Sequence, residues 1–374
     1  MPDRITQRLH VAVFGALLPA LLLAGCGRGD PASGQNVVHV YNWSDYVAPD
    51  TLERFERETG IRVVYDVFDS NELLESKLLA GNTGYDVVVP TAPNLERQIG
   101  AGVYQRLDRT QLANWRHLDA AMLSKAASHD PGNAYAMPYL WGTTGFGYNL
   151  ERITERMPDA PLDSWALLFD PLVVARFADC GVALLDAPME VDDSVRIYLG
   201  LDPNTEDEEG VAAVEAALQA IRPYVRYFSS SQYVNDLANG EICLAMGWTG
   251  DVLQARDRAR EAGKAWTVRY AIPKEGASLF IDMMAIPVDA PHVANAHRFL
   301  DFLMRPDVIA DITNYTGFAN ANLAALPGVD PNVRDNASVY PPPEVAAKLW
   351  PDNAESDAYL RTMVRMWTRL KAGR

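Results

Sequence analysis

The stretch VVHVYNWSDYVAPDTLERFERETGIRVVYDVFDSNELLESKLLAGNTGYDVVVP, residues 37–90, decides the fold. It reads strand, helix, strand, helix, strand. Residues 37–41 form the first strand. A helix follows over 50–59, with Pro49 and Asp50 at its start and Gly60 past its end, the punctuation expected of a helix. Residues 61–68 are the second strand, and Asp69 or Ser70 can cap a helix whose Leu73, Leu74, Leu78 and Leu79 recur at helical spacing. Residues 86–89 close the unit as an almost wholly apolar strand, as expected of a buried parallel one. This is a repeated right-handed βαβ pattern. It places Trp43-Ser44-Asp45-Tyr46 just beyond the first strand, and open α/β sheets bind ligands beyond the carboxyl ends of their strands.

Outward from this unit, the 374 residues suit two lobes, each able to bury its own core. A hydrophobic content of 48% and a charged content of 22% are those of a globular chain. A formal net charge of −16 argues against nucleic acid, whose phosphates require a basic surface, and favours a cationic ligand. The start of the chain reads as an export signal over residues 1–25: Arg4 and Arg8 precede an apolar run, 11–24, too short for an ordinary membrane span. That run ends in Leu23-Ala24-Gly25-Cys26, similar to the lipobox of bacterial lipoproteins, in which the cysteine carries the lipid anchor. A plain secretory signal with an incidental cysteine is the alternative. Residues 26–36, rich in Gly, Asp, Ser and Pro, read as a flexible tether.

The first lobe is expected to comprise residues 37–141 and 285–322, the second 142–284 with strands crossing between them. A helical extension follows over 323–374. The second lobe repeats the α/β pattern, with apolar strands at 180–185, 226–228 and 242–248 and helices at 208–221 and 231–239. Another apolar run, 279–286, holds one acid, Asp282; helices over 293–304 and 307–314 follow. Short crossings in place of a long linker suggest lobes hinged about a cleft. Cys180 and Cys243 each flank a buried strand, and in an oxidising exported compartment they favour a disulfide, two buried thiols being the alternative. Six scattered histidines offer no metal-ligand spacing, so no metal or cofactor is expected.

Motifs for catalysis are absent from the sequence: there is no G-x-S-x-G, no H-E-x-x-H, no phosphate loop and no dinucleotide fingerprint. Gly145-Phe146-Gly147 lacks a third glycine and reads as close backbone packing in a crossing strand. What stands out is acids beside aromatics at strand ends: Trp248 and Asp251 in GWTGD, Phe280 and Asp282 in FID, and Glu190 after Asp186-Ala187-Pro188. A carboxylate in an apolar segment is costly without a partner. Asp251 as a helix cap, Asp282 in a buried salt bridge or a hinge hydrogen bond and Glu190 as an exposed first-turn acid are the bland readings. The binding reading is that these acids and aromatics hold an organic cation with ammonium groups at both ends, the aromatic faces adding cation–π attraction.

The residues that carry this reading also carry a resemblance. YNWSDY at 41–46, YDVFDSNE at 65–72, SSQYVNDLANGEIC at 230–243, GWTGD at 247–251 and ANAN at 319–322, followed by YPPPEV, resemble the substrate-binding components of polyamine ABC transporters from residue 37 to the C-terminus. The resemblance implies a two-lobed periplasmic binding protein fold of the second type, with no catalytic residue. It implies a cleft formed by Trp43, Ser44, Asp45, Tyr46, Glu190, Trp248, Asp251, Phe280 and Asp282. Asp251 and Asp282 are then the principal ammonium acceptors. Thr91 stands where close relatives have Ser, with Pro93 two residues on in the same cleft-facing loop, and Phe318 stands where they have Tyr. Ser44, Asp45, Ala187 and Phe280 resemble the diamine branch more than the spermidine branch. The expected function is capture of putrescine and its delivery to a membrane permease by a lipid-anchored monomer; binding of spermidine or another cationic amine, for transport or sensing, is the alternative. An exported hydrolase using Asp251 and Asp282 as acid and base is a third reading, disfavoured by the surrounding aromatics.

Overall fold

The computed structural model describes residues 36–373; the export signal, Cys26 and nearly all of the tether lie outside the described residues. The opening unit folds as its pattern dictates. Strands β1 (Val37–Trp43), β2 (Arg62–Phe68) and β3 (Val87–Val88) are joined by helices Thr51–Thr59 and Asn71–Ala80. Both β2 and β3 pair with β1 in parallel. Ser70 caps the second helix, its side chain accepting from the Leu73 amide at 3.2 Å.

Strand β4 (Ala136–Asn149) ties the lobes together. Its first half pairs antiparallel with β9 (Ala277–Ala285), and its second half with β7 (Leu244–Trp248) and β8 (Val268–Ala271). It is buried almost throughout, as a strand covered on both faces must be. Gly145 lies within it, where an added Cβ would stand 2.3 Å from the Ala271 carbonyl oxygen, so the glycine serves close backbone packing. On the far side, β5 (Val182–Leu184) pairs in parallel with β7 and with β6 (Tyr227–Phe228). The strand order is β2-β1-β3-β9-β4-β7-β5-β6, with β9 (Ala277–Ala285) antiparallel to both β3 and β4. Two short strands complete the sheet, β10 (Ala319–Asn320) against β4 and β11 (Leu349–Pro351) against β9.

The buried side chains separate into a core for each half. One forms around Phe146, Trp165, Val182, Leu244 and Met246; two others cover the opposite faces of the β1–β3–β9 layer. Strand β9, expected in the second lobe, packs in the first: Leu279, Ile281 and Met283 face one layer and Phe280 and Met284 the other, the alternation any strand imposes. The C-terminal helix Asp357–Lys371, expected as part of an extension, is a layer of the second core. Tyr359, Met363, Met366, Trp367 and Leu370 are its buried stripe. Cys180 and Cys243 form a disulfide within that core, across 63 residues of chain. Among the described residues no helix is long and apolar enough to cross a membrane.

Candidate functional site

Parallel strands with a common direction bring their carboxyl ends to one edge, and here those ends face each other. Trp43 ends β1, Phe68 ends β2 with Asp69 just after it, Thr91 follows β3, Glu190 follows β5, Ser230 follows β6 and Trp248 ends β7. All of them line one cleft of about 640 Å³ including its mouth.

The first jaw is made by the turn after β1. Asp45 adopts φ 55°, a left-handed conformation uncommon for a residue with a side chain. The turn leaves Asp45 exposed and tucks Tyr46 inside. Asp45 reaches the opposite lobe, pairing with Arg258 at 3.0 Å. The buried Tyr46 hydroxyl donates to Asp282, 236 residues away, while its carbonyl accepts from the Tyr139 hydroxyl at 2.8 Å.

Asp282 is 4% exposed in the middle of β9, opposite Thr91. Its second oxygen, Oδ1, is buried without a hydrogen-bond partner. Burial pushes its carboxyl up to about 8, with the nearby charges of Glu190 and Asp251 adding to the rise; the Tyr46 hydrogen bond works against it. No arginine or lysine lies in salt-bridge contact with it among the described residues, so the salt-bridge reading fails, whereas the hydrogen bond from Tyr46 satisfies one oxygen as the hydrogen-bond reading expects and leaves Oδ1 unpartnered.

Asp251 comes from the other lobe. It is the third residue of helix Thr249–Glu261, whose cap position is Trp248, so it is not the cap. Its carboxylate accepts from the Tyr233 hydroxyl at 2.8 Å. Burial pushes it up to about 7; the charge of Asp45 adds to this and that of Arg258 opposes it. Glu190, in the first turn of helix Pro188–Leu199, accepts from Trp248 Nε1 at 2.8 Å and from Thr144 Oγ1. It too is raised, above all by burial, and is half-buried rather than exposed.

Aromatic side chains wall the space between these acids. Trp43 and Trp248 meet edge to face across the cleft at 6.3 Å, and Trp43 packs on Phe68 at 4.5 Å. Phe318 meets Tyr46 at 5.0 Å and Phe280 at 6.0 Å, closing the inner end. Gly250 permits that closure: a Cβ there would fall 2.3 Å from Phe318 Cδ2.

Every residue expected in the cleft from sequence lines it: Trp43, Ser44, Asp45, Tyr46, Thr91, Glu190, Trp248, Asp251, Phe280, Asp282 and Phe318. Thr91 is the cap position of helix Ala92–Gly100, so Pro93 lies in that helix's first turn rather than in a loop, and it lines an adjoining chamber. Sequence reasoning missed Phe68, Asp69, Ser230, Ser231, Val234 and Gln254, and also Tyr233, which holds Asp251. Following the ends of β2 and β6 as closely as that of β1 would have found Phe68, Asp69 and the serines. Among the described residues no group of His, Cys, Asp or Glu is arranged to hold a metal ion.

Residues 50–340 match the family model of bacterial extracellular solute-binding proteins. The chain is 50% identical over 359 residues to the putrescine-binding periplasmic protein of Escherichia coli strain K12, covering 96% of this chain and 97% of that protein. It is 49% identical over 363 residues to the putrescine-binding periplasmic protein of Pseudomonas aeruginosa strain UCBPP-PA14, covering 96% and 99%. A spermidine/putrescine ABC transporter substrate-binding protein from Streptococcus pneumoniae shares the fold, with a TM-score of 0.73 at 24% identity over 90% of this chain and 99% of that one. The two-lobed α/β architecture, the cleft at facing strand ends and these relatives converge: the chain belongs to the bacterial extracellular solute-binding proteins and is a periplasmic binding protein rather than an enzyme.

Proposed function

We propose that the cleft captures putrescine or a closely similar diamine and delivers it to the membrane permease of an ABC transporter. One observation carries this reading: two carboxylates from opposite lobes, Asp251 and Asp282, enter one aromatic-walled cleft with raised proton affinities. Buried acids of that kind are stabilised in their charged form by a partner cation. A diamine brings an ammonium to each end and an alkyl chain between them. Trp43, Tyr46, Trp248, Phe280 and Phe318 suit the chain by apolar contact and the ammonium groups by cation–π attraction, about 0.5–2 kcal/mol each. The relatives at about half identity carry putrescine in their names, which supports the same ligand class.

The other site residues follow from this reading. Ser44, Thr91 and Glu190 supply polar contacts to the ligand or to its acid partners, and Asp45 with Arg258 clasps the two jaws over it. Cys26 is the lipid attachment point that keeps the monomer near its permease, in keeping with Leu23-Ala24-Gly25-Cys26. Isothermal titration with putrescine tests the ligand, with micromolar or tighter binding expected. Recovery of chemically altered ligand after long incubation would refute a transport role. Metabolic labelling with a radioactive fatty acid tests Cys26, with label lost in Cys26→Ala.

A further inference from the structure

Glu190 reaches Trp248 and Thr144 from a helix whose start is not fixed by its own sequence. Helix Pro188–Leu199 has Ala187 at its cap position, a residue with no side chain able to cap. The fastening comes from the far end of the chain. Asp186, just before the cap position, accepts from Trp367 Nε1 at 2.7 Å and from Lys371 Nζ at 2.7 and 2.8 Å, contacts that span 181 and 185 residues. The buried Trp367 ring also meets Phe228, the last residue of β6, edge to face at 5.0 Å. One tryptophan thus holds two turns that open into the cleft, the one leading to Glu190 and the one leading to Ser230.

The body of the helix is fixed by the same element. Asp192 and Arg196 pair at 3.0 Å, and the Tyr359 hydroxyl donates to Asp192 at 2.7 Å while accepting from Arg196 at 2.8 Å. Both charged side chains are fully buried. At 3.6 residues per turn, Asp192 lies roughly 200° round the helix from Glu190, so turning Asp192 into the core turns Glu190 the other way, toward the cleft. The C-terminal helix Asp357–Lys371, which supplies Tyr359, Trp367 and Lys371, is itself tied down at both ends. Ser356 caps it and its amide donates to Glu206 at 2.6 Å, while Arg222 Nε donates to the Leu370 carbonyl at 3.1 Å.

We propose that Trp367 and Lys371, acting through Asp186, are positioning residues that set Glu190 against Trp248 and so shape the cleft for its ligand. None of the three lines the cleft. The effect on ligand affinity rests on the amine-binding reading above; the effect on Glu190 does not.

The test has two arms, both on the full-length protein. In the first, the indole N–H resonance of Trp248, identified by its loss in Trp248→Phe, is followed in the ligand-free protein, because that group donates to Glu190. The resonance is expected to move in Asp186→Ala and to stay in place in Asp186→Asn, whose amide oxygen still accepts from Trp367. In the second, putrescine is titrated by calorimetry. Asp186→Ala, at a side chain 38% exposed, and Trp367→Phe, which keeps the ring on Phe228, are each expected to raise the Kd about three- to tenfold. Asp186→Asn is expected to bind within about twofold of wild type, and Trp367→Phe is expected to add less than about twofold once Glu190→Gln is present, since residues that act through one another are not additive. An unmoved Trp248 resonance in Asp186→Ala, a Kd unchanged in Asp186→Ala and Trp367→Phe, the full effect of Trp367→Phe persisting beside Glu190→Gln, or Asp186→Asn weakening binding as much as Asp186→Ala overturns the positioning role. A moved resonance in a protein whose wild type binds no putrescine overturns the amine-binding reading alone.

Discussion

Replacing Asp282 by Asn separates binding from folding with one atom changed. The amide oxygen can still accept from Tyr46, so the shape and that hydrogen bond survive, while the charge on a side chain 4% exposed is removed. Breaking one partner of a buried, hydrogen-bonded charge pair costs about 2–5 kcal/mol, so the putrescine Kd is expected to rise roughly 30-fold to several thousand-fold. Without ligand the sign reverses. The Asp282 carboxyl is raised in the folded state to about 8 from an unfolded value near 4, so the folded protein holds more protons than the unfolded chain between those limits. Its stability therefore falls as pH rises through that window. At pH 8.5 the ionised carboxylate, buried with Oδ1 unpartnered, is a burden of about 1–3 kcal/mol; the amide places its NH2 where Oδ1 stood but removes the buried charge. At roughly 2 cal/mol/K of unfolding entropy per residue, a folded body of this size gains about 1–4 °C in Tm. Thermal melts at pH 8.5 with and without putrescine supply both readouts: Asp282→Asn melts higher than wild type when ligand-free and loses the ligand-induced rise. A variant that melts lower when ligand-free, or that keeps the rise, refutes the assignment of Asp282 as a buried ammonium acceptor.

Other outcomes follow from the same geometry. Because Asp251 and Asp282 are raised to about 7 and 8 and must be ionised to hold a dication, putrescine affinity is expected to climb from pH 6 to pH 8 and level off above it, with protons released on binding; titration in buffers of different ionisation enthalpy measures the release, and a flat profile contradicts the protonation argument. Gly250→Ala drives a Cβ into Phe318, so a loss of about 1–3 kcal/mol in stability and weaker binding are expected by chemical denaturation and calorimetry; unchanged values would show that the inner wall yields freely. Arg258→Ala removes a clasp whose partners are both partly exposed, which is worth less than about 1 kcal/mol, so the Kd is expected to rise less than about fivefold, mainly through faster release in stopped-flow measurements. Cys180→Ala with Cys243→Ala removes a link across 63 residues lying outside the cleft; roughly 4 kcal/mol of stability is expected to be lost on the chain-entropy model, with the putrescine Kd unchanged.

The sequence by itself determined the βαβ unit at 37–90, the repeat of that logic after Cys180, and the cleft residues at the strand ends. The reason is local: apolar runs, helix punctuation and an acid stranded in an apolar strand, such as Asp282, are written in consecutive residues. The family-like motifs added Phe318 and Thr91, both of which line the cleft. Only the tertiary structure decided the partnerships. Tyr46 meets Asp282 across 236 residues, Tyr233 holds Asp251 across a strand and a helix start, and the C-terminal helix closes a core begun by Phe146. Asp352 reads as an ordinary polar residue after Pro351, and no neighbour in the chain hints at its surroundings. Its Oδ1 becomes buried and unpartnered only because β11 pairs with β9, which seats the Asp352 amide on the Leu279 carbonyl. Periodicity reports which face a residue occupies; what that face meets is set by long-range pairing, and it is those meetings that fix charge and burial.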